Sequence, residues 1–159
     1  MRPMRGDVPA VMDPECVFCG IVAGDVPADV VWFDENAVAF LDRSPAAEGH
    51  VLVVPRRHTR TLLDASPAEA AAVMAAASQV ARLLSATLGP AGFTLFQANE
   101  TAGWQDVFHL HVHVVPRWPD DALVRPWSAA PADPATLSAV ADRIRAPLAA
   151  PEQPWKAED

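Results

Sequence analysis

Residues 107–115 read Val-Phe-His-Leu-His-Val-His-Val-Val and place His109, His111 and His113 at two-residue spacing among apolar neighbours. In a strand, successive side chains point to opposite faces, so the three imidazoles share one side while Leu110, Val112 and Val114 share the other. The apolar side belongs to a core, and Pro116 is expected to end the strand. The imidazole side is chemical in character, because imidazole titrates near neutrality, donates or accepts protons and binds metals. A single strand histidine is ordinarily a half-buried core or surface residue. Three in register argue instead for a metal or catalytic site.

The only two cysteines form a C-x-x-C, Cys16 and Cys19. One pair is a poor disulfide framework for a chain able to build a core, so the pair is either redox-active or half of a zinc site. A closed tetrahedral zinc site takes four ligands, and the other candidates are the five histidines, His50, His58, His109, His111 and His113.

The elements that must position these residues follow from periodicity and punctuation. Residues 16–24 predict about two helical turns closed by Gly24 ahead of Pro27, with Val17, Phe18 and Ile21 on one face. Residues 30–33 and 37–41, around Asp34-Glu35-Asn36, predict a hairpin, and residues 50–54 a third strand stopped by Pro55. Ser66 as N-cap, Pro67 at the first helical position and Glu69 in a capping box open the longest helix, which Gly89-Pro90 ends. Val73, Ala77, Val80, Leu84 and Leu88 fall along its apolar stripe, as expected of a packing helix without chemistry. Residues 92–98 predict a fourth strand. The loop after it is short enough for an antiparallel pairing with the histidine strand, which brings Asn99, Gln105 and Asp106 near the histidine face. Asp133-Pro134 opens a final helix that stops before Pro147.

The whole is expected to be one α+β domain over residues 15–118, with a disordered lead over 1–14 and a Pro/Ala-rich extension over 119–159. Twelve basic against twenty acidic residues give a net charge of −8, which argues against a nucleic-acid or anionic-membrane binder and requires any anionic substrate to be held locally. No apolar run approaching the roughly 20 residues of a membrane span, and no signal-peptide segment, is read from the sequence, so a cytoplasmic location is expected.

The series His109-x-His111-x-His113 resembles the signature of the histidine triad (HIT) family of nucleotide hydrolases and transferases. Cys16-Val17-Phe18-Cys19, Gly24-Asp25-Val26-Pro27-Ala28, Ala39-Phe40-Leu41-Asp42, the stretch from Gly49-His50 to Pro55, and His58 follow in the family's order and spacing. The resemblance implies an antiparallel sheet of about five strands with one long helix and short terminal helices, paired as a homodimer. It also implies cleavage at the α-phosphorus of a nucleoside 5'-phosphoramidate or similar conjugate of a purine nucleotide. By matching position, His111 would be the nucleophile, His113 would stabilise charge on a non-bridging oxygen, and His50 would buttress the site. Asp42 would grip the ribose, Val17, Phe18, Ile21, Phe40 and Leu52 would line the base pocket, and Asn99, Gln105 and Asp106 would lie on the phosphate side. Structural zinc on Cys16, Cys19, His58 and His109 is implied, with no organic cofactor.

Two departures from the family pattern bear on specificity. Asp106 stands where a hydroxyl is frequent, and a carboxylate there would repel phosphate, while Arg43 stands where an apolar neighbour of the base is common. Competing readings are a dinucleoside polyphosphate hydrolase or phosphorylase, a hydrolase using a catalytic zinc on the three strand histidines, and a nucleotide-binding regulatory module without useful turnover.

Overall fold

The structure is a computed structural model and describes residues 11–124 and 129–148. Most of the lead expected over residues 1–14, and the chain after residue 148, lie outside the described residues. The chain divides into two units, one up to Leu123 and one from Val124.

In the first unit, α1 (Val17–Ala23) is followed by β1 (Val30–Phe33), β2 (Ala37–Leu41), β3 (Val51–Pro55), α2 (Pro67–Leu88), β4 (Gly92–Phe96) and β5 (Val112–Arg117). The strands form one antiparallel sheet in the order β1-β2-β3-β5-β4, the α+β architecture expected. Local signals account for most boundaries. Gly24 closes α1 in the left-handed region at φ 81°. Asp34 Oδ1 accepts the N–H groups of Asn36 and Ala37, both at 2.8 Å, and so folds the β1–β2 turn. The capping box of Ser66 and Glu69 opens α2, and Gly89 at φ 63° ends it.

β2 and β3 are buried on both faces, which is why they read as unbroken apolar runs. On one face Ala39, Val53, Val112 and Val114 meet Val73, Ala77, Val80 and Leu84 of α2. On the other, Val38, Phe40, Leu52 and Val54 meet Phe18, Ile21 and Val22 of α1. The register opposes Phe40 to Leu52 and Leu52 to His113, so the last histidine emerges on the α1 face.

Several expectations need correcting. β5 begins only at Val112 and includes Pro116. Residues 107–111 bend instead of extending, because the Leu110 N–H is taken by Thr59 O at 2.6 Å and the His109 N–H by Val107 O at 2.9 Å. Pro116 is accommodated because Arg117 O faces β4, where it accepts the Ala91 N–H, so position 116 faces the β3 side beyond the last β3–β5 pair, Val51 with Val114. β3 likewise starts after His50 and keeps Pro55, and β4 stops at Phe96. Finally, α2 does reach the length and composition of a membrane span, 22 residues at hydropathy 1.3. Alanine supplies that value, and the helix lays its Val73–Val80–Leu84 stripe on the sheet as a core helix. Leu88, expected on that stripe, is partly exposed.

The second unit contains α3 (Pro134–Arg145), whose first turn is capped by Asp133 through the Thr136 N–H at 3.0 Å.

Candidate active site and metal centre

The first turn of α1 brings the two thiols together. Cys16 is the N-cap, its Sγ accepting the Cys19 N–H. His58 follows β3, with its own N–H tied to Val11 O at 2.9 Å, and His109 stands on the bend ahead of β5. The donor atoms of Cys16, Cys19, His58 and His109 all lie within 4.8 Å of one another. Cys16 Sγ is 3.5 Å from His109 Nδ1, and Cys19 Sγ is 3.3 Å from His58 Nδ1 and 3.6 Å from His109 Nδ1. Tetrahedral zinc with ordinary Zn–S and Zn–N bonds requires S···N separations of about 3.6 Å, so the cluster has the size as well as the donor set of a closed Cys₂His₂ site.

Protonation patterns agree with that use. His109 is fully buried and donates Nε2–H to Pro55 O at 2.9 Å, which leaves Nδ1 bare toward the thiols. Burial lowers the His109 pKa to about 4 and raises the Cys19 thiol to about 11. A neutral imidazole is what a metal needs, and a buried thiol sheds its proton readily only beside a cation. Asp13, which the sequence gave no reason to single out, borders the cluster. Its N–H points at Cys19 Sγ at 3.4 Å, and its carboxylate lies 3.9 Å from His58 Nε2.

Around the corner of the same bend, a cavity of ≈ 710 Å³ is lined by Val17, Phe18, Ile21, Phe40 and Leu52 on one side and by Asp42, Asp106, His111 and His113 on the other. That size and mixture suit a nucleotide-sized ligand.

The two cavity histidines are held in opposite tautomers. His111 donates Nδ1–H to His109 O at 2.7 Å, so its Nε2 carries a lone pair. His50 Nδ1 accepts the Ala46 N–H at 3.0 Å, so His50 Nε2–H donates to His113 Nδ1 at 2.9 Å. His113 therefore carries its own proton on Nε2. One ring offers a nucleophile and the other a donor. All three rings are kept neutral by burial, which lowers His111 and His50 and takes His113 to about 4, with help from His111 and His50 in the last case. Asp42 accepts the Ser44 N–H on Oδ1 at 2.7 Å, and its Oδ2 lies 3.6 Å from His50 Nε2. The Phe18 ring stands edge-on to His111 at 5.3 Å.

The expected site residues thus divide. Val17, Phe18, Ile21, Phe40, Leu52, Asp42, Asp106, His111 and His113 line the cavity, and His50 backs His113. Asn99 and Gln105 do not line it. Asn99 Oδ1 accepts the Leu62 N–H at 2.7 Å and its amide pairs with Gln97, while buried Gln105 bonds only to backbone. Trp104, Asp29 and Arg43 also line the cavity. Trp104 adjoins Asp106 in sequence, a signal that could have been used; nothing in the sequence marked Asp29.

Residues 23–120 match the HIT domain family. A protein from Streptococcus mutans has a crystal structure that superposes at a TM-score of 0.84, with 35% identity, over 91% of this chain and 92% of its own. A zinc-bound histidine triad family protein from Mycobacterium smegmatis superposes at 0.67, with 38% identity, over 73% of this chain and 84% of its own. An adenosine 5'-monophosphoramidase of Schizosaccharomyces pombe is 29% identical over 81% of this chain and 95% of its own.

Proposed function

Since the chain belongs to the HIT domain family of nucleotide-binding hydrolases and transferases, we propose that it hydrolyses nucleoside 5'-phosphoramidates through a nucleotidyl-His111 intermediate. The observation that carries this reading is the pair of opposed tautomers, a bare Nε2 on His111 beside a protonated Nε2 on His113. His111 Nε2 attacks the α-phosphorus, the P–N bond breaks, and the electron pair leaves with the amine as it takes up a proton from solvent. His113 donates to a non-bridging oxygen as negative charge develops, and His50 holds His113 in the donor tautomer. Water then displaces the imidazole, releasing nucleoside monophosphate. The base lies in the apolar wall of Val17, Phe18, Ile21, Phe40 and Leu52, with Asp42 on the ribose hydroxyls. Gln105 and Asn99 act by holding the loop, not by touching substrate.

Cys16, Cys19, His58 and His109 would hold zinc, which would tie α1 to the bend before β5 without activating water. The homodimer is proposed with the same family as its premise: β4 is a sheet edge with Leu95 exposed, able to continue the sheet into a second copy.

The test compares adenosine 5'-phosphoramidate with diadenosine tetraphosphate. Preferential release of ammonia supports the reading. Preference for the dinucleotide would reassign the leaving group, and tight AMP binding with neither substrate cleaved would make the protein a binding module.

The pH dependence carries a sign. Because burial lowers His111 and His113, both stay neutral below the usual histidine pKa of about 6.5. Protonation of His111 would remove the nucleophile, so kcat/KM is expected to stay flat from pH 8 to about 6.5 and fall only in more acid solution. A pH–rate profile with its acid limb above 6.5 would contradict the burial argument.

A further inference from the structure

The mouth of the cavity holds groups that the reaction so far leaves idle. The loop between β4 and β5 presents Trp104 and Asp106 to the cavity that His111 and His113 line. It is held against backbone preference: among the described residues, Glu100 and Trp104 are the non-glycine residues with positive φ, at 61° and 71°. Gln105, buried between the two cavity residues, fixes this shape. Its Oε1 accepts the Glu100 N–H at 2.8 Å, and its Nε2 donates to Arg60 O at 2.7 Å and Val107 O at 3.1 Å. Arg60 grips Glu100 through two further bonds of 2.8 and 2.7 Å. Such strain persists where the surroundings over-determine it, commonly at sites of use.

The groups displayed share one chemistry. The Trp104 ring is 55% exposed and stacks on Phe96 at 6.3 Å, and Phe96 in turn lies 5.5 Å from the His113 ring. The Asp106 carboxylate is exposed and makes no hydrogen bond or ion pair among the described residues. Its charge acts on both cavity histidines, raising each against the effect of burial. An aromatic face and a carboxylate that line one cavity favour a cation and disfavour an anionic leaving group.

We propose that Trp104 and Asp106 form a leaving-group subsite selecting phosphoramidates whose amine carries a second, cationic group, an ammonium or guanidinium on a short alkyl chain. The inference rests on the phosphoramidase reading and leaves its chemical step unchanged. Arg43, the one Lys or Arg among the described residues that line the cavity, adjoins Asp42 in sequence and so is assigned to the ribose side.

The test uses the full chain and two adenosine 5'-phosphoramidates of equal length, one made with butane-1,4-diamine and one with pentylamine. Wild type is expected to favour the charged substrate roughly tenfold in kcat/KM at low salt, with the ratio shrinking as salt screens the pair. Asp106→Asn should bring the ratio to about one while raising kcat/KM on the neutral substrate, since a carboxylate that repels phosphate is removed. Trp104→Leu should lower the ratio in part. Each ratio is taken within one protein, so a partly misfolded variant does not distort it. A ratio near one in wild type, or one untouched by Asp106→Asn, overturns the subsite and leaves the phosphoramidase reading standing. Cleavage of neither substrate by wild type overturns both.

Discussion

His111→Ala is expected to lower turnover of adenosine 5'-phosphoramidate by roughly 10⁴-fold or more and to abolish the protein-bound nucleotide, the scale on which loss of a covalent nucleophile registers. The size of the effect follows from the absence of a substitute nearby. His113 has its Nδ1 occupied by His50 and its proton on Nε2, so it has no free lone pair for the cavity. His109 points away, with Nε2–H on Pro55 O and Nδ1 at the thiols. His50 lies behind His113. By contrast His113→Ala removes one donor to the transition state, and a loss nearer 10²-fold is expected. The measurement is rapid acid or base quench after mixing with substrate radiolabelled at the α-phosphorus. Wild type should carry an acid-labile, base-stable label on protein, and His111→Ala none. Metal analysis of the same variant separates this mechanism from a catalytic zinc on the strand histidines: the covalent reading keeps the metal, the other loses it. Turnover surviving in His111→Ala would end the covalent mechanism.

Why the three histidines meet three different surroundings was not legible in their spacing. Alternation along a strand assigns a common side and nothing more. Their separation arises because residues 107–111 are not strand, and that bend is made by one partner distant in sequence, Thr59 O for the Leu110 N–H, and one nearby, the Gln105 amide for Val107 O. Local signals were sufficient where local chemistry decides the outcome. Ser66, Pro67 and Glu69 begin α2 in the place expected, Gly24 and Gly89 end α1 and α2, and unbroken apolar runs mark β2 and β3. Phe18 and Ile21 were readable as apolar, but whether they face core or cavity depends on tertiary position, and they do both. The tasks expected of Asn99 and Gln105 came from the short loop and from matching position in the family, and neither tells an amide that meets a ligand from one that holds a loop.

Removal of zinc is expected to have the second large effect, this time on stability and on nucleotide affinity together. α1 has seven residues, too few for a helix to persist without tertiary support, yet it carries Phe18 and Ile21 of the cavity wall. Its packing on Phe40 and Leu52 is one anchor, and the Cys16–Cys19–His58–His109 cluster is the other. A metal bound there closes the N-terminal segment onto both the exit of β3 and the entry to β5. Without it, the half-buried Cys16 thiol, the buried Cys19 thiol and the buried His109 imidazole face one another with no cation to draw their lone pairs. One zinc per chain is expected in the purified protein. Chelation should cost roughly 3–5 kcal/mol, a part of what such sites contribute when they hold an entire small domain, and lower Tm by about 10 °C. AMP affinity should weaken in step, because the wall loosens with the helix. His58→Ala should reproduce both losses, and in excess chelator its Tm should converge with that of wild type, since both then lack the same link. A gap that persisted under chelation would mean that His58 stabilises the fold by packing alone. Purified protein without zinc, or zinc retained in full by His58→Ala, would withdraw the metal from this cluster and leave α1 held by its apolar face.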